Sequence, residues 1–137
     1  MPLDECPKVC DPSTQQSRHY RGAMAHARGQ AAEAQVARVY TDQGLDILCM
    51  RWRGKAGEID LIVQGKDEII CVEVKSSKTH AQAAEKLSYR QISRLMLAAE
   101  EFIGTQPLGS LTPTRMDVAL VDDHGRIDIL ENALMGA

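Results

Sequence analysis

The stretch GEIDLIVQGKDEIICVEVK, residues 57–75, contains two strand-like apolar runs that nevertheless carry charged side chains. Glu58 and Asp60 lie in the first run, and Glu73 and Lys75 lie in the second. Because side chains alternate between the two faces of a strand, Glu58 and Asp60 share one face, as do Glu73 and Lys75. The stretch therefore predicts a β-hairpin whose charges lie on one face, with an apolar opposite face packed on a helix layer.

The hairpin register decides which charges meet. The dipeptide Gly65-Lys66 suits a two-residue type II′ loop, which has glycine in its first position. That loop would place Glu58 opposite Glu73 and Asp60 opposite Cys71. Since opposed side chains lie about 5 Å apart at Cβ, the three carboxylates are predicted to converge, with Lys75 at their edge.

A cluster of like charges on a sheet is unfavourable unless it is neutralised, because each carboxylate raises the pKa of the others. A hard divalent cation such as Mg²⁺ or Mn²⁺ accepts oxygen ligands, and a neighbouring lysine can position a water molecule. The alternative is a solvated face that only keeps the hairpin soluble. Ile62, Ile69 and Cys71 share the charged face, which indicates that it is partly covered and favours a functional cluster.

The elements around the hairpin predict an α/β domain with the order α-β-β-β-α-β-β. The first helix covers about residues 23–43 and ends near Gly44, and the second begins after Ser88 as N-cap. Three successive strands predict an antiparallel meander, and the second helix then acts as a crossover to a parallel strand. The predicted strands are 45–52, 58–63, 68–75, 115–121 and 126–131, the second helix runs to about 103, the tail 1–19 is predicted to be disordered, and the domain covers 20–137.

Composition narrows the functional classes. The 137 residues carry a net charge of −3, so the molecule as a whole is not a polyanion binder. No hydrophobic run reaches the length of a membrane span, and no signal peptide is expected. The four cysteines are not spaced like a disulfide framework, and Cys49 and Cys71 are predicted to be buried free thiols in strands. A cytoplasmic location is expected.

Basic residues flank the acidic centre on both sides. Such a rim favours contacts with nucleic-acid phosphates, although each charge alone is as typical of a solvated surface. Trp52, among the first group, is a candidate surface for base stacking. The first group is Arg51, Arg53 and Lys55, and the second is Lys78, Lys86, Arg90 and Arg94.

The spacing Asp60-x12-Glu73-Val74-Lys75 resembles the motif of the PD-(D/E)XK nuclease superfamily. The longer segments RGQAAEAQVA, RGKAGEIDLIV, VEVKSS and RMDVALV are similar to the YraN-like family of small bacterial proteins within that superfamily. The resemblance covers about residues 20–137. It implies a restriction endonuclease-like αβββαβ(β) core, with a mixed central sheet flanked by helices.

The resemblance also implies roles for individual residues. Asp60 and Glu73 would be metal ligands, the Val74 carbonyl a third, and Lys75 the group that orients or activates water. Glu33 matches the helix glutamate that archaeal-type Holliday junction resolvases place beside the metal, and Glu58 belongs to the GEID segment without an assigned role.

Two positions depart from the family pattern. The family often has a lysine or arginine two or three residues after the motif lysine, and this chain has Ser76, Ser77 and Lys78 after Lys75. On the helix that follows, Gln91 stands where the family usually has a lysine. Other nuclease branches carry a glutamine on this helix, so Gln91 is kept as a candidate nucleic-acid-binding residue.

Two functional hypotheses follow. The first is a Mg²⁺- or Mn²⁺-dependent endonuclease acting on DNA, with branched or damaged structures such as Holliday junctions among the expected substrates. The second is a non-catalytic nucleic-acid-binding or protein-interaction domain that retains the scaffold. The combination of Asp60, Glu73 and Lys75 favours the first, and the weak basicity favours the second or a required partner. A homodimer or a protein partner is compatible with both, and no membrane association is expected.

Overall fold

The computed structural model describes residues 23–133, and for the first helix it describes side chains from residue 30 onward. The tail predicted for residues 1–19 lies outside the described residues. The elements are α1 (Ala23–Asp42), β1 (Asp46–Arg53), β2 (Glu58–Gln64), β3 (Ile69–Ser76), α2 (His80–Glu85), α3 (Tyr89–Ile103), a 3-10 turn (Gly109–Leu111), β4 (Thr114–Val121) and β5 (Ile127–Leu130).

The five strands form one mixed sheet in the order β1-β2-β3-β4-β5. β3 and β4 are parallel, and the other neighbours are antiparallel. The predicted meander and the parallel crossover are confirmed, with α2 and α3 forming the connection. Helices pack on both faces, so the predicted α/β class is confirmed, and the arrangement is consistent with a restriction endonuclease-like core.

The long helices begin and end where local chemistry predicts. Ser88 caps α3, accepting from the Gln91 backbone N–H, while the Gln91 side chain accepts from the Ser88 N–H, which completes a capping box. Leu95 and Ala98 of α3 face the sheet, and Met96 is 41% exposed. The short helix α2 was not predicted, although Thr79 caps it in the same way.

Two aliphatic cores lie on opposite faces of the sheet. On one face, Val36 and Tyr40 of α1 pack against Leu61 and Val72. On the other face, Leu95 and other residues of α3 pack with Ile62, Cys71 and Phe102. Each core buries one side of β2 and β3, and this holds the charged ends of the two strands in fixed positions between the helix layers.

A fully buried carboxylate, Asp117, lies in β4 beneath the end of α1. Tyr40 Oη donates to its Oδ2 at 2.7 Å, the Arg115 guanidinium donates to both oxygens at 2.9 and 3.0 Å, and the Asn132 N–H donates at 2.9 Å. A buried charge with all its lone pairs occupied is typical of a structural network. Sequence reasoning missed it, although an aspartate within RMDVALV was the available signal.

The cysteines do not all match the expectation. Cys71 is a buried free thiol, as predicted. Cys49, however, is disulfide-bonded, which contradicts the prediction of a free thiol at that position. From residue 23 to residue 133, no helix has the length and apolar composition needed to cross a membrane.

Candidate functional site

The β2–β3 hairpin has a different register from the predicted one. Its loop contains the four residues 65–68 and is closed by a hydrogen bond from the Gly65 N–H to the Glu68 carbonyl at 2.8 Å, so the two-residue type II′ loop is wrong. Ile62 lies opposite Cys71 and Gln64 opposite Ile69, a shift of two residues. A shift of two keeps the paired residues, such as Ile62 and Cys71, on their predicted faces, but Glu58 is not opposite Glu73, and Asp60 is not opposite Cys71.

The strands separate just beyond this ladder. The last regular pair between β2 and β3 is Leu61 with Val72, and one more step in the same register would place Asp60 opposite Glu73. Instead of a backbone carbonyl, Asp60 Oδ2 accepts the hydrogen bond of the Val74 N–H at 2.9 Å. Asp60 is therefore fixed at the point where β2 and β3 diverge.

A backbone irregularity in β1 accompanies this divergence. Arg51 has a φ of 59°, in the left-handed region that non-glycine residues rarely occupy. On either side of it, Met50 packs in the α1 core while Trp52 packs in the α3 core, although alternation would give them one face. The same change affects Ile59, which was predicted to lie with Leu61 but packs on the α3 side. This irregularity directs the Arg51 side chain toward α1.

Asp60, Glu73 and Lys75 form a compact cluster. Lys75 Nζ lies 3.1 Å from Glu73 Oε2, and both side chains are largely buried, at 16% and 15% exposure. The Asp60 carboxyl is close enough to Glu73 for their two charges to interact. Burial raises the pKa of both carboxyls, and the charge of Glu73 raises that of Asp60 further, whereas Lys75 opposes the rise at Glu73. Negative charge in this cluster is only partly neutralised by the chain itself.

The cluster fits a divalent ion held by few protein ligands. Among the side chains that the structure describes, those of residues 30–133, no three His, Cys, Asp or Glu are grouped closely enough to hold a metal by themselves. Mg²⁺, however, is usually held by one or two carboxylates and keeps several waters. In a β-strand, the N–H and C=O of one residue point toward the same neighbouring strand. Because the Val74 N–H donates to Asp60, the Val74 carbonyl also points toward β2, into the gap beside Asp60. Two carboxylates and this carbonyl are a suitable oxygen donor set.

Glu33 of α1 lies near the cluster but is engaged by Arg51. Arg51 Nε donates to Glu33 Oε1 at 2.9 Å, and the two side chains are only 18% and 11% exposed. Burial raises the pKa of Glu33 from 4.5 to about 7, and the charge of Asp60 adds to this, while Arg51 opposes it. The structure therefore places Glu33 within electrostatic range of Asp60, and its role as a metal ligand stays a prediction.

Glu33→Gln should change the pH dependence of stability in metal-free protein. Because the folded-state pKa is raised, folding takes up a proton, and the contribution of Glu33 is fully present below about pH 4.5 and lost as the pH rises through about 7. Gln keeps an oxygen for Arg51. Between pH 5 and 8, the stability of the variant relative to wild type should rise by up to about 3 kcal/mol. Urea unfolding with a chelator measures this, and a pH-independent difference would contradict it.

The predicted basic rim is less available than expected on one side. Arg51 is paired with Glu33, and Arg53 forms an ion pair with Glu58. The half-buried Trp52 ring packs edge-on against Phe102, with centroids 5.5 Å apart, and its role as a stacking surface stays a prediction. Lys55, Lys78, Arg90 and Gln91 are exposed.

The exposed candidates lie around two cavities. Gln91 lines one of about 360 Å³ beside Glu73, together with Arg53 and Arg94. Lys78 and Lys86 line a second, of about 680 Å³, which also includes Ser76 and residues of α1. The predicted rim is thus divided between two separate cavities.

Glu101, which no sequence pattern selects, positions the β1–β2 loop. Its carboxylate accepts from the Lys55 and Ala56 N–H groups at 3.0 and 3.1 Å, and these bonds lower its pKa. A Cβ at Gly54 would lie 2.4 Å from the Trp52 ring and 2.6 Å from Glu101 Oε1, so this approach requires glycine. The loop is thereby fixed to α3 beside the cluster.

Comparisons with known proteins agree with one another. The model of the Uncharacterised protein family UPF0102 matches residues 32–121. A UPF0102 protein of Ruegeria pomeroyi is 52% identical over 113 residues, covering 82% of this chain and 92% of the relative. One of Cereibacter sphaeroides is 53% identical over 112 residues, covering 82% and 96%. One of Roseobacter denitrificans is 45% identical over 118 residues, covering 86% and 92%.

The matched range begins within α1 and ends with β4, so it contains Glu33 and the whole Asp60, Glu73 and Lys75 cluster. Both the family model and the relatives cover most of the chain. The chain belongs to the UPF0102 family.

Proposed function

We propose that the chain is a metal-dependent nuclease of the PD-(D/E)XK type that acts on DNA. The observation that carries the proposal is the meeting of Asp60, Glu73 and Lys75 where β2 and β3 diverge. A purely structural cluster would be expected to satisfy its charges internally, as Asp117 does. Here burial raises the pKa of both carboxyls, and the charge of Glu73 raises that of Asp60 further, which supports a site suited to a cation.

In this proposal, different residues of the site would bind the metal ion and orient the attacking water. Asp60, Glu73 and the Val74 carbonyl would hold Mg²⁺ or Mn²⁺, and the hydrogen bond from the Val74 N–H would keep Asp60 oriented. Bound there, the ion supplies positive charge beside the phosphate and makes water easier to deprotonate. Lys75 Nζ, held 3.1 Å from Glu73, would donate a hydrogen bond that orients the attacking water. Hydrolysis then breaks one phosphorus–oxygen bond of the backbone.

DNA cleavage with Mn²⁺ tests the proposal directly. A panel of single-stranded, duplex, flapped and four-way-junction DNA of matched sequence should show cleavage of at least one member, with the branched members preferred. Asp60→Asn protein purified in parallel is the control for contaminating nucleases. Failure of pure wild type to cleave any member would contradict the proposal.

A non-catalytic nucleic-acid-binding or protein-interaction domain is the second candidate, and one observation favours it. Arg51 and Arg53 are engaged with Glu33 and Glu58, so fewer cations are free to contact phosphates than the sequence indicates. Binding to the panel without cleavage would support this function. For a protein that acts on DNA, we propose a cytoplasmic location, where DNA is accessible.

A further inference from the structure

The cavity beside Glu73 lies between the β1–β2 loop and α3. Gly54 and Gly57 contribute backbone without side chains on the loop side, and Gln91, Arg94 and Leu95 line it from the helix. Its volume of about 360 Å³ is at the lower end of the roughly 300–1,000 Å³ of small-ligand sites. A single nucleotide has the size to enter it, whereas a base pair does not.

The charges that line the cavity select a nucleobase over a phosphate. Glu58 and Glu73 offset Arg53 and Arg94, so the lining has no net charge. Arg53 is already paired with Glu58, and Glu73 with Lys75. A bare phosphate would therefore meet two carboxylates without a free pair of cations to compensate them, while a neutral, planar and polar group meets no such penalty.

The helix side offers the contacts that a base requires. Arg94 is exposed, and its guanidinium has no ion pair or hydrogen bond with the side chains described for residues 30–133, so its planar face can stack on a base. The Gln91 amide oxygen already accepts from the Ser88 N–H, and its two N–H donors and the second lone pair of the oxygen are left for a base edge. Leu95, only 3% exposed, supplies apolar surface. Arg94 thus offers a plane for stacking, Gln91 offers hydrogen bonds to the base edge, and Leu95 offers an apolar surface.

We propose that this cavity receives one unpaired base, that of the nucleotide next to the phosphate held at Asp60 and Glu73. The inference rests on the proposed function and specifies its substrate class: DNA with an unpaired nucleotide at the cleavage point. Glu73 contributes to both the cluster and the cavity wall, so the base and the phosphate belong to adjacent positions of one strand. An intact duplex must first extrude that base, and this lowers its affinity.

Binding to matched DNAs tests the inference. Two duplexes of equal length and sequence, one fully paired and one with a single unpaired fluorescent adenine analogue, are bound by the full chain with Ca²⁺ as the divalent ion. Wild type should bind the unpaired DNA about 10-fold or more tightly than the paired DNA, with a change in analogue fluorescence. Arg94→Ala should reduce this ratio to about 2-fold or less, since the stacking plane is lost.

Arg90→Ala is the matched control, because Arg90 is exposed on the same helix but does not line the cavity. It should weaken binding of both DNAs by the same factor and preserve their ratio. Equal affinity of wild type for the two DNAs, or an equal loss for both with Arg94→Ala, would overturn the inference. If wild type binds the unpaired DNA more tightly but cleaves no DNA in Mn²⁺, this inference is supported and the nuclease proposal is contradicted. If wild type cleaves DNA but binds both DNAs equally, the nuclease proposal is supported and this inference is contradicted.

Discussion

Asp60→Asn is expected to stabilise the metal-free protein by about 1–2 kcal/mol at about pH 8, while removing its response to Mn²⁺ and its cleavage activity. Burial and the charge of Glu73 raise the pKa of Asp60, so the ionised carboxylate is unfavourable in the folded state. Asn has the same shape and keeps an oxygen that can accept the hydrogen bond of the Val74 N–H. The substitution therefore removes repulsion without removing a structural contact.

The metal response gives the second half of this prediction. Mn²⁺ at 100 times its dissociation constant should raise the unfolding free energy of wild type by about 2.7 kcal/mol. Asp60→Asn should show little of this increase. Asp67→Asn makes the same chemical change in the exposed hairpin loop and should match wild type in every condition. A destabilised Asp60→Asn protein, or one that responds to Mn²⁺ like wild type, would place the ion elsewhere.

The sequence predicted the elements better than their register. Alternation and capping located all five strands and both long helices, because these signals are local. The hairpin register depended on loop length, and Gly65 occupies the four-residue loop as readily as the two-residue one. A Cβ at Gly65 would lie 2.9 Å from the Glu68 carbonyl oxygen, which explains the glycine without a type II′ turn. Along residues 61–64 and 69–72 the predicted faces remained correct because the shift was an even number of residues, whereas Ile59 changed face.

The sequence predicted the central residues of the candidate site, but it did not predict the ion pairs of the arginines around them. Asp60, Glu73 and Lys75 are close in the strand pattern, so their convergence follows from alternation. The pairs of Arg51 with Glu33 and of Arg53 with Glu58 depend on how a helix and a neighbouring strand approach, which periodicity does not specify. The left-handed φ of Arg51 could not be predicted from the sequence either, because glycine is the residue that indicates this conformation and position 51 is an arginine.

The strain at Arg51 and the repulsion at Asp60 occur in the same place. A non-glycine residue in the left-handed region costs about 1–3 kcal/mol and persists where the surroundings hold it. Here α1 holds it through Glu33, and the two features together concentrate unfavourable energy at the divergence of β2 and β3. Locally destabilising features that coincide with a cluster of ionisable groups are typical of functional sites, which supports the proposed function.

Lys75→Met is expected to separate chemistry from metal binding. Without the ammonium group, the attacking water loses its orienting donor, and cleavage in Mn²⁺ should fall by about 100-fold or more. Glu73 simultaneously loses its partner at 3.1 Å, so its charge is left without compensation in a largely buried position. The metal-free variant should be less stable by about 1–3 kcal/mol, because one member of a desolvated pair has been removed.

Removing the Lys75 charge should also preserve or strengthen the binding of Mn²⁺, which would not be expected if Lys75 were purely structural. In wild type, Lys75 supplies part of the positive charge that the carboxylates require, and it therefore competes electrostatically with a bound cation. At about pH 8 the stabilisation by Mn²⁺ should be as large in Lys75→Met as in wild type, or larger. Thermal unfolding across a Mn²⁺ titration measures it, with Lys66→Met in the exposed loop as the matched control. Cleavage equal to wild type would assign the activity to a different site, and a lost metal response would make Lys75 a structural residue.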